Sequence, residues 1–255
     1  AQGVTGTSEG STGRVHTKNC PSPNHDARNS PVNMIVLHYT GMKDCAGALD
    51  QLCNPASKVS AHYLIDEDGT IYALVDEARR AWHAGVASWH GETDINGCSI
   101  GIELVNPGHE FGYRPFPDAQ MKALEHLCAD LSERQDISAA RILGHADVAP
   151  ARKRDPGELF DWPRLAVLGL AVWPVPLQVS STTMKDGDSS EEVFALQVAL
   201  GSIGYGIVGD GCYGVATTAV VMAFQRHYRP AAVDGVADPE TRAMLAGLVS
   251  LFVDV

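Results

Sequence analysis

The stretch "VNMIVLHYT", residues 32–40, is the part of the sequence that indicates the fold most directly. It is a short run of aliphatic and β-branched residues, and such a run is typical of a strand that is buried on both faces. Strands of this kind lie in the middle of a covered sheet. The run ends near His38, so the same strand brings a polar side chain to one edge of the sheet.

Three further segments around this strand predict a sheet with more members. "SAHYLIDEDGTIYALVDE" (60–77) has two apolar stretches on either side of Glu67-Asp68-Gly69, which is the pattern of a β-hairpin. "CSIGIELVN" (98–106) is a short buried strand that Pro107-Gly108 ends, and "ARILGH" (140–145) is another strand. The first part of the chain is therefore rich in strands.

One long helix is predicted after these strands, beginning at Pro117-Asp118. Apolar residues recur there at spacings of three and four, which gives one buried face on a helix of about 15 residues. They are Met121, Leu124, Leu127, Cys128 and Leu131. Strands with an amphipathic helix to cover them predict an α/β domain that ends near residue 176.

The two ends of the chain differ from this domain. "AQGVTGTSEGSTG" (1–13) is small and polar, which predicts a flexible tether, and "WPVPLQVSSTTMKDGDSS" (173–190) has the composition of a linker. Beyond the linker, "DGCYGVAT" (210–217) and "DGVADPET" (234–241) share the pattern D-G-x5-T, and each precedes an apolar helix. With "SSEEVFALQVAL" (189–200) they predict three helices, each opened by a capping residue or a proline, in a module that folds separately.

Composition excludes several classes of protein. The 255-residue chain has a net charge of −12, which disfavours nucleic acid as a partner because that binding depends on Lys and Arg. It contains no apolar stretch of the roughly 18 residues that a transmembrane helix needs. The six cysteines form no C-x-x-C pair, which disfavours a zinc ribbon, although Cys45 and Cys53 could close a small loop.

Three residues form a candidate metal site. His38 and His145 each follow a predicted strand, and Asp155 precedes Pro156-Gly157, a turn that fixes the direction of its carboxylate. A single histidine at a strand end is more often structural, but two histidines and one carboxylate are an accepted catalytic zinc set with one open position. These residues are therefore our candidate metal ligands.

Two charged residues are candidates for catalysis. Alternation in 98–106 places Glu103 with Gly101 and Val105 on the face opposite Ile100, Ile102 and Leu104. Burial would raise the pKa of Glu103 and a nearby metal would lower it, so the group could serve as a base near neutral pH; the alternative is a structural partner for a buried arginine. Lys153 lies on the same side of an extended segment as Asp155 and could stabilise an oxyanion, whereas Arg152 and Arg154 would point into solvent.

Five blocks of this sequence resemble a known family. "MIVLHYTGM", "SAHYLIDEDGTIYALVDE", "RAWHAG", "SIGIELVNPGH" and "ILGHADVAPARKRDPG" look like the successive blocks of type 2 N-acetylmuramoyl-L-alanine amidases, the AmpD- and AmiD-like zinc enzymes. The resemblance covers about residues 30–176. In the C-terminal part, "EVFALQVAL", "AFQRHY" and "VDG" resemble the small helical peptidoglycan-binding domain that is often attached to wall hydrolases.

The resemblance implies an α/β fold with a mixed central sheet flanked by helices, of the amidase and peptidoglycan-recognition type, and a second, small three-helix domain. By residue, it implies a Zn²⁺ ion on His38, His145 and Asp155, Glu103 as the catalytic acid and base, and Lys153 as the stabilising cation. His83, Tyr39 and Asn106 are assigned to the substrate cleft, and His62 to a structural role. The predicted division is a flexible segment 1–20, a catalytic domain 21–176, a linker 177–188 and a peptidoglycan-binding domain 189–255.

The activity that the resemblance implies is zinc-dependent hydrolysis of the amide between N-acetylmuramic acid and L-alanine in peptidoglycan or its fragments. The alternative is a peptidoglycan recognition protein without catalysis, which the intact set of ligands disfavours. A peptidase that acts on other peptides is disfavoured, because the sequence contains no H-E-x-x-H motif. The C-terminal helices could also be a plain bundle that packs on the amidase, or a DNA reader. We expect a monomer in the periplasm or at the outer membrane, with any membrane anchor outside this chain, and the cytoplasm as the alternative location.

Overall fold

The computed structural model of the protein describes residues 15–252. Within that range, six strands form one sheet and two short strands form another. The strands are β1 (Lys18–Asn19), β2 (His25–Ala27), β3 (Met34–Tyr39), β4 (Tyr63–Ile65), β5 (Ile71–Ala73), β6 (Arg79–Ala81), β7 (Ser99–Leu104) and β8 (Ile142–Gly144). The helices are α1 (Cys45–Cys53), α2 (Ile95–Cys98), α3 (Gly108–Phe111), α4 (Asp118–Gln135), α5 (His145–Val148), α6 (Trp162–Val167), α7 (Glu191–Ser202), α8 (Val215–Tyr228) and α9 (Pro239–Ser250).

The main sheet is mixed and has the order β1-β5-β4-β7-β3-β8. Its strands pair in parallel except for β4 and β5, which are the two arms of the predicted hairpin. The strand β3 lies between β7 and β8, which is the internal position that its apolar sequence predicts. The predicted fold class, a mixed sheet flanked by helices, is therefore confirmed.

The two faces of this sheet have different roles. Ile35 and Leu37 of β3 lie with Ile100, Ile102 and Leu104 of β7 in one buried cluster against α4. Because side chains alternate along a strand, the opposite face carries Val36, His38 and Glu103. The helix α4 covers the first face with the five predicted apolar residues, over 18 residues rather than about 15. One face of the sheet is thus core, and the other is free to carry a site.

The N-terminal part of the domain begins earlier than predicted. Residues 1–14 of the predicted flexible segment lie outside the described residues, but Lys18–Asn19 pairs in parallel with β5. Cys45 and Cys53 stand at opposite ends of α1, a helix that the sequence analysis missed. A helix of that length separates them by about 12 Å, which is too far for a disulfide. The Sγ atom of Cys53 instead lies 3.7 Å from that of Cys20.

The C-terminal part has the three predicted helices α7, α8 and α9, and its repeated D-G-x5-T pattern has a structural cause. In the first repeat, the Oε1 atom of buried Gln197 accepts from the backbone N–H groups of Asp210 and Gly211, at 2.9 Å each. Its Nε2 donates to Asp210 Oδ1 and to the hydroxyl of Thr217. The Asp, the Gly and the Thr are therefore the partners of one buried amide.

The second repeat is built in the same way. Gln225 accepts from the N–H groups of Asp234 and Gly235, and it donates to Asp234 Oδ1 and to Thr241. The helix α8 departs from the capping prediction, since it begins after Gly214 with no capping side chain. The repeat thus fixes two loops against two helices by satisfying the polar groups of a buried glutamine.

The C-terminal helices share a hydrophobic core with the sheet. One cluster contains Met34 and Val36 of β3 together with Val193, Leu200 and Phe224 of α7 and α8. This shared core argues against the expectation that the module folds separately.

Further contacts join the C-terminal module to the rest of the chain. The predicted linker is attached along its length, because Leu177 N–H donates to Ala243 and Met184 forms a β-bridge with Ala237. At Gly204 the two parts meet so closely that an added Cβ atom would overlap the Trp89 ring. Within residues 15–252, no helix combines the length and the apolar character that crossing a membrane requires.

Candidate metal centre and catalytic site

Three parallel strands carry the site at their carboxyl ends. His38 is on β3, and Glu103 is its direct neighbour in register on β7. His145 follows β8 immediately and begins the one-turn helix α5. Because the carboxyl ends of neighbouring parallel strands lie at the same edge of a sheet, residues far apart in sequence meet there. These side chains line an open cleft of about 390 Å³.

The three predicted ligands converge on one point. The Nδ1 atoms of His38 and His145 lie 2.9 Å apart, and each is 3.1 Å from Asp155 Oδ2. All three side chains are buried. The two segments that carry the second and third ligands are joined, since Ala146 N–H donates to the carbonyl of Asp155 at 2.9 Å.

Hydrogen bonds on the far side of each ring determine which nitrogen carries the proton. His145 Nε2 lies 2.9 Å from the Ala84 carbonyl, an acceptor, so that nitrogen is protonated and Nδ1 has a free lone pair. Ser99 donates its hydroxyl to the Ile95 carbonyl and therefore accepts from His83 Nε2 at 3.0 Å. His83 Nδ1 then accepts from His38 Nε2 at 2.9 Å, which leaves His38 Nδ1 unprotonated as well.

Two imidazole lone pairs and a carboxylate oxygen thus face one another with no proton between them. Burial, with His145 nearby, lowers the pKa of His38 to about 4, which keeps the ring neutral. Three mutually repelling donors held this closely are a suitable site for a cation, and two histidines with one carboxylate are a donor set for zinc.

Glu103 lies beside these ligands without a structural partner. It is partly exposed to the cleft, but its Oε2 atom is buried and accepts no hydrogen bond from the described residues. Burial, reinforced by Asp155, raises its pKa well above the ordinary value, while Lys153 acts to lower it. Within residues 15–252, no arginine forms a salt bridge with this carboxylate, so the alternative structural role has no support there.

The basic run 152–154 lies along the cleft, and Arg152 and Arg154 are exposed to solvent as predicted. Lys153 and Arg154 line the cleft near the ligands. The guanidinium of Arg152 also has partners within the protein, since it donates to the Ala84 carbonyl at 2.9 Å and to the Val86 carbonyl through Nε at 3.1 Å. Arg152 thereby holds the loop whose Ala84 carbonyl also accepts a hydrogen bond from His145 Nε2.

The residues assigned to the substrate cleft have three different positions. Tyr39 lines the cleft, and its hydroxyl is 2.9 Å from His109 Nδ1. His83 also lines it, but its ring is engaged with His38 and Ser99, so it orients a ligand. The assignment of Asn106 to the substrate cleft is corrected, because its side chain is fully buried. It holds its own loop by accepting from Gly108 N–H and donating to the Arg114 carbonyl.

Two other histidines differ in their roles. His62 has the structural role predicted for it, since Nδ1 accepts from Gly101 N–H and Nε2 contacts the Arg79 carbonyl. His109 was missed as a site residue, although it stands in the block "SIGIELVNPGH". It lines the cleft and joins Tyr39 to Glu158, at 3.1 Å from that carboxylate. Its place in a block that resembles the family was the available signal.

The fold and the site together define the class: a hydrolase whose buried His-His-Asp set can hold a metal ion beside an unpartnered carboxylate. Comparisons with known proteins make this more specific. Residues 28–158 match the N-acetylmuramoyl-L-alanine amidase family, and residues 189–245 match the peptidoglycan binding domain family. The chain belongs to the N-acetylmuramoyl-L-alanine amidases, as the resemblance in its sequence predicted.

Individual relatives agree with this assignment. The chain is 35% identical over 234 residues to the N-acetylmuramoyl-L-alanine amidase AmiD of Escherichia coli K12. The aligned region covers 87% of this chain and 83% of that protein. The solved complex of E. coli AmiD with anhydro-N-acetylmuramic acid-L-Ala-D-γ-Glu-L-Lys has a TM-score of 0.73 at 33% identity, covering 89% of this chain and 93% of that chain. AmpDh3 of Pseudomonas aeruginosa, in complex with anhydromuramic pentapeptide, has a TM-score of 0.72 at 29% identity, covering 87% and 92%.

Proposed function

We propose that this protein is a zinc-dependent amidase that hydrolyses the bond between the lactyl group of N-acetylmuramic acid and L-alanine in peptidoglycan fragments. The observation that carries the proposal is the convergence of His38, His145 and Asp155 beside Glu103 in one cleft. The relatives named above support the substrate class, because two of their structures hold anhydromuropeptides.

In the proposed reaction, His38, His145 and Asp155 hold the zinc ion, which when bound supplies Lewis-acid activation of water and of the scissile carbonyl. Glu103 takes a proton from the attacking water and returns it to the nitrogen of the departing L-alanine. Burial raises the pKa of Glu103 above its ordinary value, which favours the uptake of that proton. Lys153 stabilises the negative charge that develops on the carbonyl oxygen.

The direct test uses purified protein with zinc and soluble N-acetylmuramoyl peptides, analysed by mass spectrometry. We expect two products, a peptide that begins with free L-alanine and the sugar acid, whose masses together exceed that of the substrate by one water. Anhydro and reducing-end fragments are compared in parallel with intact sacculi. Binding of these fragments without cleavage by the zinc-loaded protein would instead identify a recognition protein.

His83 offers a test of how the first ligand is held. His83→Ala removes the acceptor of His38 Nε2–H, and we expect zinc affinity to fall by about 10–100-fold, as is usual for partners of a ligating histidine. His83→Asn keeps an acceptor near the position of Nδ1 and should retain most of the affinity. Zinc dissociation constants from competition with a chromophoric chelator give the comparison. Wild-type affinity in His83→Ala would remove His83 from this role.

The location and the oligomeric state of the protein belong to the same proposal. A domain that binds the wall polymer is useful where that polymer is present, so we propose that the protein works in the periplasm or at the outer membrane. We also propose that the protein acts as a monomer. Separation of membranes, periplasm and cytoplasm from cells that express the full gene, followed by immunoblotting, tests the location.

A further inference from the structure

A buried aspartate joins the C-terminal helices to the segment that carries a metal ligand. Asp147 lies on α5, two residues after His145, and its side chain is almost completely buried. Its Oδ2 accepts from Gly144 N–H at 2.8 Å and from His227 Nδ1 of α8 at 2.8 Å. Its Oδ1 accepts from the Tyr205 hydroxyl at 2.6 Å. Two of its three donors therefore belong to the C-terminal part of the chain.

This carboxylate depends on those donors. A buried polar group is costly unless it is hydrogen-bonded, and Gly144 N–H alone would leave Oδ1 of Asp147 without a partner. The donors are themselves held in place. The His227 ring stacks between the rings of Trp162 and Tyr228, with centroid distances of 3.8 Å and 3.9 Å. The Tyr205 ring packs edge-on against Trp89, with a centroid distance of 5.0 Å.

The same contacts support the metal ligands from behind. His145 begins α5, and Ala146 N–H fixes the backbone of Asp155, so a displacement of α5 moves two ligands at once. The Ala84 carbonyl accepts the hydrogen bond from His145 Nε2, and the loop that contains Ala84 continues to His90. The His90 N–H donates to the Gly204 carbonyl at 2.9 Å. The residues 204–205 therefore contact both structures that orient His145.

We propose that Tyr205 and His227 are positioning residues for the metal centre, so that the C-terminal domain completes the site in addition to any contact that it makes with the wall. They act through Asp147 and touch neither the metal nor the substrate. This inference rests on the proposed function only in that a metal ion occupies the site. The binding of zinc alone tests it without any substrate.

The chain offers a matched pair of tyrosines for that test. Tyr205→Phe removes the hydroxyl that reaches Asp147, and Tyr213→Phe removes an equally buried hydroxyl that donates, also at 2.6 Å, to the Gly235 carbonyl within the C-terminal domain. Zinc affinity is measured on the full-length proteins by chelator competition, and melting temperature is measured on the metal-free forms. We expect Tyr205→Phe to weaken zinc binding about tenfold, whereas Tyr213→Phe leaves it within twofold of wild type, although both variants melt earlier.

His227 supplies an independent second test. His227→Asn keeps an N–H donor near Nδ1, while His227→Leu removes it from a site of similar volume. We expect the Asn variant to bind zinc nearly as well as wild type and the Leu variant to lose about tenfold. The proposal is overturned if Tyr205→Phe and His227→Leu bind zinc as tightly as wild type, or if Tyr213→Phe weakens zinc binding as much as Tyr205→Phe. If the variants lose zinc affinity as expected but the wild-type protein cleaves no muropeptide, the proposed function is contradicted and this inference stands.

Discussion

Glu103→Gln is expected to lower the turnover of N-acetylmuramoyl peptides by about 10²–10⁴-fold while the protein keeps its zinc and its fold. The amide has nearly the shape of the carboxyl group but cannot take a proton from water. This loss corresponds to about 3–5 kcal/mol of activation free energy. Turnover, zinc content and melting temperature are measured on the same preparation. Glu133→Gln makes the same chemical change at an exposed position of α4 and serves as the control.

The stability of the same variant separates the catalytic role from a structural one. Burial raises the pKa of Glu103 in the folded protein, so its ionised form opposes folding once the pH exceeds the ordinary value of about 4.5. In metal-free protein, Glu103→Gln should therefore melt at the wild-type temperature near pH 4 and above it at pH 7 to 8. Near wild-type turnover would refute the catalytic role. A large fall in melting temperature would instead indicate that the carboxylate neutralises a cation.

His145→Ala is expected to abolish both zinc binding at equimolar metal and amidase activity. The wild-type protein should bind one zinc ion per chain, and removal of one of three ligands should cost more than the 100-fold that the loss of a supporting residue can cost. The measurement is metal content by mass spectrometry after dialysis, together with chelator competition. His126→Ala, at an exposed histidine of α4, is the matched control. Full zinc occupancy in His145→Ala would exclude this residue as a ligand.

The parts of the fold that the sequence predicted are those with local signals. The strand 32–40 and the helix after Pro117 follow from apolar spacing within one element, and the candidate ligands follow from strand ends and a turn. Asn106 was misplaced because its adjacency to the cleft in sequence says nothing about which way its side chain turns. The hydrogen bonds of Arg152 could not be predicted because its partners, the carbonyls of Ala84 and Val86, belong to a loop far away in sequence.

Relations between distant segments could not be predicted in the same way. Glu103 and His38 are neighbours only through strand register, and the chain from His38 through His83 to Ser99 needs three segments to meet. Asp147 and His227 are separated by the whole linker and two helices. Each of these residues is an ordinary polar side chain in sequence, and only the assembled core gives it a partner.

The close contact at Gly204 has a consequence for protein engineering. Wall-binding modules are attractive as exchangeable cassettes, but an added methyl group at this position would collide with Trp89. A transplanted module would therefore have to bring a glycine to that point of contact, with the aromatic surface of the recipient already shaped to receive it. In this chain the two domains are better exchanged together, because replacing one of them alone would disrupt the interface in which they pack against each other.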